Sequence, residues 1–357
     1  MAGNESFRAA KVAKEDEFYT QRGDIENELS HYAEQFRGKV VYCNCDDPVS
    51  SEFWQFFVRV FQAWGLKKLI ATHYEPDAQN YSYKLEMEPD ENGQFNMFAE
   101  PVKTPLPCNG DFRSAACIEL LKEADIVVTN PPFSLFREYV AQLMEYGKKF
   151  LIIGNQNAIT YKEIFPLIKD NAIWLGYGFQ GGNAYFAIPP GTESRFAKGV
   201  YNPETGLVKF RNCCWFTNLD HAKRHTPLDL RGNYYRGSEA AYPRYDNYDA
   251  IEVSKVADIP SDYDNVMGVP ITFLDKHCPE QFEIVGITRA WLDSRSKVYP
   301  KQIQHNVDGS TQIVGKLNDS IAFEVDTPPV GRVYYEVDGK YYIKGYSRIL
   351  IRRKKDA

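Results

Sequence analysis

Residues 125–133 read DIVVTNPPF, and this stretch decides the fold that the sequence predicts. The run DIVVT is continuous and rich in β-branched residues, which is typical of a strand buried on both faces of a parallel sheet. The turn TNPPF follows directly, and its two prolines fix φ and remove two backbone donors. Because ligands of parallel α/β sheets bind beyond the carboxyl ends of the strands, this rigid turn is a candidate site.

The chain on both sides of this stretch alternates between strand and helix patterns. Further predicted strands cover residues 39–45 (KVVYCNC), 66–72 (LKKLIAT), 149–154 and 212–219. Predicted helices cover residues 51–64, 114–123 (with Ser114 as N-cap) and 135–146. This alternation implies an α/β fold with a parallel sheet that is covered on both faces. Residues 76–107 are polar and contain prolines, so we expect an excursion there rather than a core element.

The character of the sequence changes after residue 219. The following residues are rich in Tyr, Arg, Asp and Pro, and their apolar runs are shorter and more alternating, as at residues 331–343. We therefore place a boundary near Asp220 and predict two domains, residues 1–222 and residues 223–357. The second domain is predicted to be α+β or mainly β.

Charge is distributed unevenly along the chain. The formal net charge is −6 at pH 7, which argues mildly against a nucleic-acid partner. Residues 223–357, however, carry 20 Lys and Arg against 19 Asp and Glu, so this part is the less acidic one. Near its end lies a basic stretch, residues 352–355. A solvated tail and a phosphate contact are equal alternatives for this stretch.

Composition and spacing argue against several classes of protein. Residues 1–17 lack the apolar segment of a signal peptide. No apolar run approaches the roughly 18 residues that span a bilayer, so no membrane partner is expected. The seven Cys match neither a zinc ribbon nor a disulfide scaffold, and we expect reduced thiols in a cytoplasmic protein. The six His show no metal-ligand spacing, so no metal is expected.

The TNPPF turn has the groups needed to activate an amine that is attached to an aromatic ring. Such an amine is a poor nucleophile because its lone pair is delocalised into the ring. Two acceptors, the side chain of Asn130 and a carbonyl of Pro131 or Pro132, can hold its N–H bonds and aim the lone pair at an electrophilic methyl group. Phe133 offers a face on which a flipped base can stack. The alternative is an ordinary turn after a strand.

Other segments are candidates for a cofactor pocket. Residues 16–21 (DEFYTQ) can line such a pocket or pack onto the core as an N-terminal staple. Residues 44–48 (NCDDP) offer polar groups for a charged amino-acid end, although the glycine-rich dinucleotide turn is absent. Residues 110–112 (GDF) place the carboxylate of Asp111 beside an aromatic ring, where it can bind an adenine, cap a helix or do both. Glu75 is the candidate for ribose hydroxyls, with Asp77 as the runner-up.

The order of these motifs resembles that of the amino-methyltransferases, and longer phrases resemble one family, the EcoRI-type adenine-specific DNA methyltransferases. The phrases are DEFYTQ, DIENEL, KVVYCNCDDP, KKLIA, DIVVTNPPFSLFREY, KKFLIIGN, ITYKEIF, YPRYDNYDAI and MGVPITFLDKHCPEQFE. They run from about residue 15 to residue 285. Residues 76–107 match no phrase, and residues 286–345 look like an extra or divergent segment.

The resemblance implies a seven-stranded, mostly parallel, Rossmann-like methyltransferase sheet with a C-terminal α+β target-recognition region. The catalytic residues that it implies are Asn130, Pro131, Pro132 and Phe133. The cofactor shell that it implies is Phe18, Tyr19, Thr20, Asp46, Asp47, Asp111 and Phe112. Glu75 and Asn130 complete the predicted cofactor contacts.

The activity implied by the resemblance is methyl transfer from S-adenosylmethionine to the N6 amine of adenine in duplex DNA, by base flipping. We expect a protein that functions as a monomer and does not require a cognate restriction endonuclease. One alternative is an amino-methyltransferase that acts on RNA or on protein glutamine and shares the Asn-Pro-Pro-Phe motif. A second alternative is a non-catalytic DNA-binding protein that keeps a methyltransferase shell.

Overall fold

The computed structural model of the protein describes residues 18–45, 47–49, 51–75, 81–95, 100–188, 191–197, 199–236, 239–292 and 294–354. These residues form two compact units. The first unit contains the described residues within Met1–Ala158 and Ile173–His221, and the second contains those within Ile159–Ala172 and Ala222–Ala357. Among these residues, no helix is both long and apolar enough to cross a membrane.

The described residues of the first unit form four α-helices and twelve strands. The helices are α1 (Arg22–Leu29), α2 (Glu52–Trp64), α3 (Ala115–Glu123) and α4 (Phe136–Glu145). The strands are β1 (Tyr19–Thr20), β2 (Val40–Cys43), β3 (Lys68–His73), β4 (Tyr83–Met87), β5 (Val102–Pro105), β6 (Ile126–Thr129), β7 (Lys149–Asn155), β8 (Trp174–Leu175), β9 (Ala184–Ala187), β10 (Tyr201–Asn202), β11 (Leu207–Phe210) and β12 (Cys213–Thr217). The strands and helices predicted for this part are confirmed, as is the Ser114 cap of α3.

An eight-stranded sheet forms the centre of this unit, in the order β5-β4-β3-β2-β6-β7-β12-β8. The four central strands, β3, β2, β6 and β7, are parallel, which confirms the α/β class. The outer strands pair antiparallel. The sheet therefore differs from the expected seven-stranded, mostly parallel one. The reason is that the β4–β5 hairpin extends one edge, while β12 and β8 add antiparallel strands at the other.

The β4–β5 hairpin lies in residues 76–107, where the expectation of an excursion outside the core is wrong. Strand β4 pairs with β3, and β5 pairs with β4. Along β4 the residues are alternately buried and half-buried, which is the pattern of a strand with one face on the core. Its half-buried Glu86 pairs with Lys84 at 2.6 Å and with Lys68 of β3 at 2.7 Å. These charges make the segment look polar in sequence although it belongs to the sheet.

A second, antiparallel sheet of the first unit has the order β1-β9-β11-β10. Tyr19 and Thr20 of β1 pair with Ala187 and Phe186 of β9. The described part of the DEFYTQ segment therefore lies beside the aromatic tract at residues 177–187.

The second unit contains α5 (Phe165–Lys169) and nine strands among its described residues. The strands are β13 (Ile251–Glu252), β14 (Met267–Val269), β15 (Phe282–Ile287), β16 (Gln302–His305), β17 (Thr311–Val314), β18 (Ala322–Val325), β19 (Tyr334–Val337), β20 (Lys340–Lys344) and β21 (Ile349–Arg353). They form one sheet in the order β13-β14-β21-β15 and another in the order β17-β16-β19-β20-β18. With a single α-helix of five residues in its described part, this unit is mainly β rather than α+β.

The Tyr-rich tract at residues 234–248 is partly internal to the second unit. The side chain of Asn247 is fully buried, and its Nδ2 donates to the carbonyl of Ser320 at 2.8 Å. Its Oδ1 accepts from the backbone N–H of Ala322, the first residue of β18, at 2.9 Å. Asn247 therefore fixes the tract to the five-stranded sheet.

Candidate active site

The carboxyl ends of β3, β2 and β6 lie at the same edge of the central sheet, because these strands are parallel neighbours. The loop before α3 reaches this edge through Gly110, whose φ is +80°. A Cβ atom at Gly110 would lie 2.2 Å from the carbonyl oxygen of His73, so the approach requires glycine. The backbone N–H of Glu75 donates to the carbonyl of Asn109 at 2.9 Å. The loop that carries Asp111 therefore packs against the carboxyl end of β3.

Asn130 directly follows β6 and is 8% exposed. Its Nδ2 donates to the backbone carbonyl of Phe18 at 2.7 Å, which fixes the amide plane and turns Oδ1 away from Phe18. The hydroxyl of the preceding Thr129 accepts from the backbone N–H of Cys45 at 3.1 Å and ties the ends of β2 and β6 together. Asn130 therefore presents an acceptor oxygen with a defined orientation at the end of the strand.

The two prolines after Asn130 start a tight turn. Pro131 is buried, and the carbonyl of Pro132 accepts the backbone N–H of Leu135 at 3.0 Å within a short 3-10 turn. The half-buried Phe133 stacks on Phe18, with ring centroids 5.9 Å apart and planes at 29°. The four predicted catalytic residues thus lie in one turn, in which the carbonyl of Pro132 already has a donor.

Of the predicted cofactor residues in the N-terminal segment, Phe18 and Thr20 are buried, whereas Tyr19 is half-buried. The ring of Phe18 is 5% exposed and contacts Phe210 edge-on at 4.9 Å and Phe186 at 5.9 Å between centroids. Its backbone carbonyl accepts the hydrogen bond from Asn130. Tyr19 is half-buried. The hydroxyl of Thr20 is buried and has no hydrogen-bond partner among the described residues.

The polar residues after β2 and β3 form a cluster around His73. Nδ1 of His73 lies 2.5 Å from Oδ2 of Asp47, and its Nε2 lies 3.7 Å from Oε2 of Glu75. The other carboxylate oxygen of Asp47 accepts the backbone N–H of Val49 at 2.8 Å. The structure therefore brings Asp47 and Glu75 together. Asp46 and Asp77, also predicted for this region, lie outside the described residues.

Both carboxylate oxygens of Asp111 accept hydrogen bonds from Arg113. Oδ1 accepts from the backbone N–H and from Nε, each at 2.9 Å, and Oδ2 accepts from Nη2 at 2.7 Å. These bonds hold the pKa of Asp111 below its usual value, so its charge is retained at neutral pH. The cap of α3 is Ser114, so the capping alternative for Asp111 is wrong. Phe112 is buried and lies edge-on to Tyr139, with centroids 5.0 Å apart.

Two polar residues at this edge were not predicted as individual contacts from the sequence. Asn44, in the NCDDP motif, is 3% exposed, and its Oδ1 accepts a hydrogen bond from the hydroxyl of Tyr139. Its buried Nδ2 has no hydrogen-bond partner among the described residues. His73 is the other, and the signal for it was its place directly after the predicted strand at residues 66–72 and two residues before Glu75. In the described part of the chain, no three His, Cys, Asp or Glu side chains group so as to hold a metal ion.

The aromatic tract at residues 177–187 is attached to the first unit through Glu28 of α1. The backbone N–H groups of Tyr177 and Gly178 each donate to this fully buried carboxylate at 2.8 Å. The hydroxyl of Tyr32 donates to the same carboxylate at 2.9 Å. A Cβ at Gly176 would lie 2.1 Å from Oε1 of Glu28, so glycine is needed for this contact. Glu28 therefore fixes the start of the tract whose strand β9 pairs with β1.

An α/β sheet in which a central parallel strand ends in Asn-Pro-Pro-Phe, beside strands that end in carboxylates, defines the class of amino-methyltransferases. Within this class, the family model described as "Adenine-specific methyltransferase EcoRI" matches residues 6–354. The chain belongs to this family and is an adenine-specific DNA methyltransferase of the restriction–modification type.

Similar proteins cover most of the chain. The Type II methyltransferase M.EcoRI of Escherichia coli is 50% identical over 299 residues, which are 80% of this chain and 89% of that protein. The Type II methyltransferase M.MpnI of Mycoplasma pneumoniae is 42% identical over 283 residues, 78% of this chain and 84% of its own length. M.MgeORF184P of Mycoplasma genitalium is 41% identical over 286 residues, 78% of this chain and 85% of its own length.

Proposed function

We propose that the protein transfers a methyl group from S-adenosylmethionine to the N6 amine of adenine in duplex DNA, with the target base flipped out of the helix. The observation that carries this proposal is the amide of Asn130, which is 8% exposed and held by the carbonyl of Phe18 at 2.7 Å. Inside a duplex the adenine amine is paired and its lone pair has no path to a methyl donor. The base therefore has to leave the stack.

Each residue of the turn has a distinct role in this proposal. Oδ1 of Asn130 accepts one N–H of the target amine. The carbonyl of Pro131 accepts the other, since that of Pro132 is used inside the turn. Two such acceptors favour tetrahedral geometry at nitrogen and orient its lone pair, which is catalysis by positioning. Phe133 supplies an aromatic face for the flipped base.

The residues at the ends of β2 and β3 and before α3 suit S-adenosylmethionine. When bound, this cofactor supplies an electrophilic methyl group. Glu75 would accept hydrogen bonds from the ribose hydroxyls. Asp111 would accept a hydrogen bond from the adenine amine, because Arg113 leaves a lone pair free on Oδ2 of Asp111. The buried polar atoms of Thr20 and Asn44 without described partners suit the charged amino-acid end. Asp47, Tyr19, Phe18 and Phe112 are the further contacts or supports that we propose.

We further propose that residues 223–357 form the target-recognition region. Within the Tyr-rich tract, Tyr242, Tyr245 and Tyr248 are at most 7% exposed, so their rings are in the core. Tyr235, in contrast, is 58% exposed and available for contacts with DNA. We propose that the protein works on DNA as a monomer and without need of a cognate restriction endonuclease.

The proposal is tested by offering methyl-labelled S-adenosylmethionine with duplex DNA, single-stranded RNA or a glutamine-bearing release factor. The DNA is then digested to nucleosides and analysed by mass spectrometry. We expect label in duplex DNA, recovered as N6-methyldeoxyadenosine. Label in RNA, in protein or on another base would show that the substrate is not the one that we propose. A folded protein that binds DNA and transfers no label would be a non-catalytic member of the family.

A further inference from the structure

His73 is the last residue of β3, and each of its ring nitrogens faces a carboxylate. Nδ1 lies 2.5 Å from Oδ2 of Asp47, although without the geometry of a hydrogen bond, and Nε2 lies 3.7 Å from Oε2 of Glu75, so both are close polar contacts rather than hydrogen bonds. The side chains of His73, Asp47 and Glu75 are 22%, 26% and 19% exposed, so these contacts are less screened than pairs on the open surface. One imidazole therefore links the polar ends of two neighbouring parallel strands.

If Asp47 and Glu75 are both to face the cofactor pocket, a group between them has to hold their side chains in place. Like charges that are close together repel each other, and exposed Asp and Glu side chains have several rotamers. By these close contacts the ring of His73 limits the rotamers open to Asp47 and Glu75, and it lowers the cost of orienting them before a ligand binds.

The backbone of His73 contacts the third segment of the candidate cofactor site. Its carbonyl oxygen occupies the space in which a Cβ at Gly110 would lie, so the loop that carries Asp111 packs directly onto it. The backbone N–H of Glu75 donates to the same loop, at the carbonyl of Asn109. His73 therefore touches all three segments from which the candidate carboxylates come.

The β4–β5 hairpin fixes the plane of the His73 ring. Tyr83 of β4 is the cross-strand partner of His73, and the two rings stack with centroids 4.9 Å apart and planes at 25°. Nζ of Lys103 in β5 lies 3.7 Å from the centroid of the Tyr83 ring. Burial, and then the nearby charge of Asp47, raise the pKa of Tyr83, which keeps its hydroxyl neutral beside this cluster. The hairpin thus provides a rigid backing for the cluster.

We propose that His73 is a positioning residue of the cofactor site. It holds Asp47 and Glu75 in the orientation in which Glu75 accepts the hydroxyls of the cofactor ribose, and the β4–β5 hairpin keeps its ring in place. This assigns a role to part of residues 76–107. The proposal rests on the proposed function, because the cofactor contact of Glu75 belongs to it.

The test is the dissociation constant of S-adenosylhomocysteine, measured by calorimetry for the wild type and for His73→Phe. The phenyl ring keeps the stack on Tyr83 and lacks both nitrogens. We expect up to about five-fold weaker affinity, the size typical of a partly screened polar contact. The loss should vanish with an analogue that lacks the ribose 2′ and 3′ hydroxyls. In turnover assays KM for S-adenosylmethionine should rise while kcat at saturation changes little.

A matched control is His305→Phe in the second unit. His305 also stacks on a tyrosine, Tyr334, with centroids 4.4 Å apart, and its Nε2 lies 3.1 Å from Glu336. This substitution should leave the affinity for S-adenosylhomocysteine within about two-fold of the wild type. If His73→Phe fails to fold, His73→Gln, which keeps a polar side chain, takes its place in the same comparison, with a smaller loss expected.

The outcomes separate this proposal from the proposed function. If Glu75→Gln leaves the affinity unchanged, the cofactor assignment of Glu75 fails and the role of His73 fails with it. If Glu75→Gln weakens binding and folded His73→Phe does not, only the role of His73 is overturned. An equal loss for the cofactor product and its dideoxy analogue would also overturn it, since His73 would then act on the fold rather than on the ribose contact.

Discussion

Asp111 is a charged acceptor whose orientation is set by its neighbour Arg113. Replacing it by alanine should weaken the binding of S-adenosylhomocysteine about ten-fold or more, because a hydrogen bond to a charged group is typically worth about 1.5–3 kcal/mol. Calorimetry measures this effect, and DNA affinity should change much less. Glu138→Ala is the control, since it removes only the second partner of Arg113, at 3.1 Å. Unchanged cofactor binding in Asp111→Ala would exclude Asp111 from the cofactor site.

Phe133 stacks on Phe18 in the protein, and we propose that it also stacks on the flipped adenine. Phe133→Ala should lose much of the methylation rate on duplex DNA, because stacking of a base on an aromatic ring is worth about 1–3 kcal/mol. Phe133→Tyr should keep substantial activity. The loss in Phe133→Ala should shrink when the target adenine lies opposite a mismatch, where extrusion costs less.

The Phe133 experiment needs a control for packing, since Phe133→Ala also removes a neighbour of Phe18. Phe210→Leu perturbs Phe18 from another contact, at 4.9 Å between ring centroids. Any loss in that variant should be the same on paired and mismatched DNA. If Phe133→Ala also loses the same factor on both substrates, its ring supports the fold or the cofactor pocket and does not hold the base.

At the scale of elements, the loop before α3 depends on Gly110. Gly110→Ala combines a positive φ with a Cβ 2.2 Å from the carbonyl oxygen of His73. We expect a stability loss of about 1–3 kcal/mol in urea unfolding and a weaker affinity for S-adenosylhomocysteine. Gly93→Ala has a similar φ, +75°, and no atom within 4 Å of the added Cβ, so it should leave cofactor affinity unchanged. Equal effects on affinity in the two variants would contradict this account of the loop.

The elements show what the sequence could and could not predict. Strand β6 was predictable because its residues are β-branched and buried on both faces, which leaves a continuous apolar run. Strand β4 was not recognised because its alternate residues are Lys84 and Glu86, which pair with charges on the same sheet. The alternation from Tyr83 to Met87 was nevertheless a usable signal for a strand with one face on the core.

At the candidate site, too, local sequence patterns predicted single residues but not contacts between distant parts of the chain. Asn130 was predictable because its motif is local, a strand followed directly by two prolines. The partner that orients it, the carbonyl of Phe18, lies 112 residues away in sequence, and no local pattern reports such a contact. The contacts of His73 with Asp47 likewise depend on which strands are neighbours in the sheet. Sequence patterns therefore pointed to the residue that we propose holds the target amine, but not to the contacts that orient this residue.

At the scale of the whole molecule, the second unit is the proposed reader of the DNA sequence. Exchanging Ala222–Ala357 together with Ile159–Ala172 for the matching parts of a relative with another specificity should transfer the target site. Both segments should be exchanged because they belong to one compact unit. An exchange of Ala222–Ala357 alone should fold less well, which thermal unfolding measures. If the complete exchange is active and keeps the old target site, the reader lies elsewhere, with residues 76–107 as the next candidate.

The central claim is that the fixed amide of Asn130 holds the target amine, and it is tested most directly by Asn130→Ala in single-turnover methylation of duplex DNA. We expect the rate to fall about 10²–10³-fold, by analogy with the loss of one preorganised hydrogen-bonding group in other active sites. The affinity for S-adenosylhomocysteine should stay within about two-fold of the wild type. Near-normal formation of N6-methyladenine by Asn130→Ala would contradict the account.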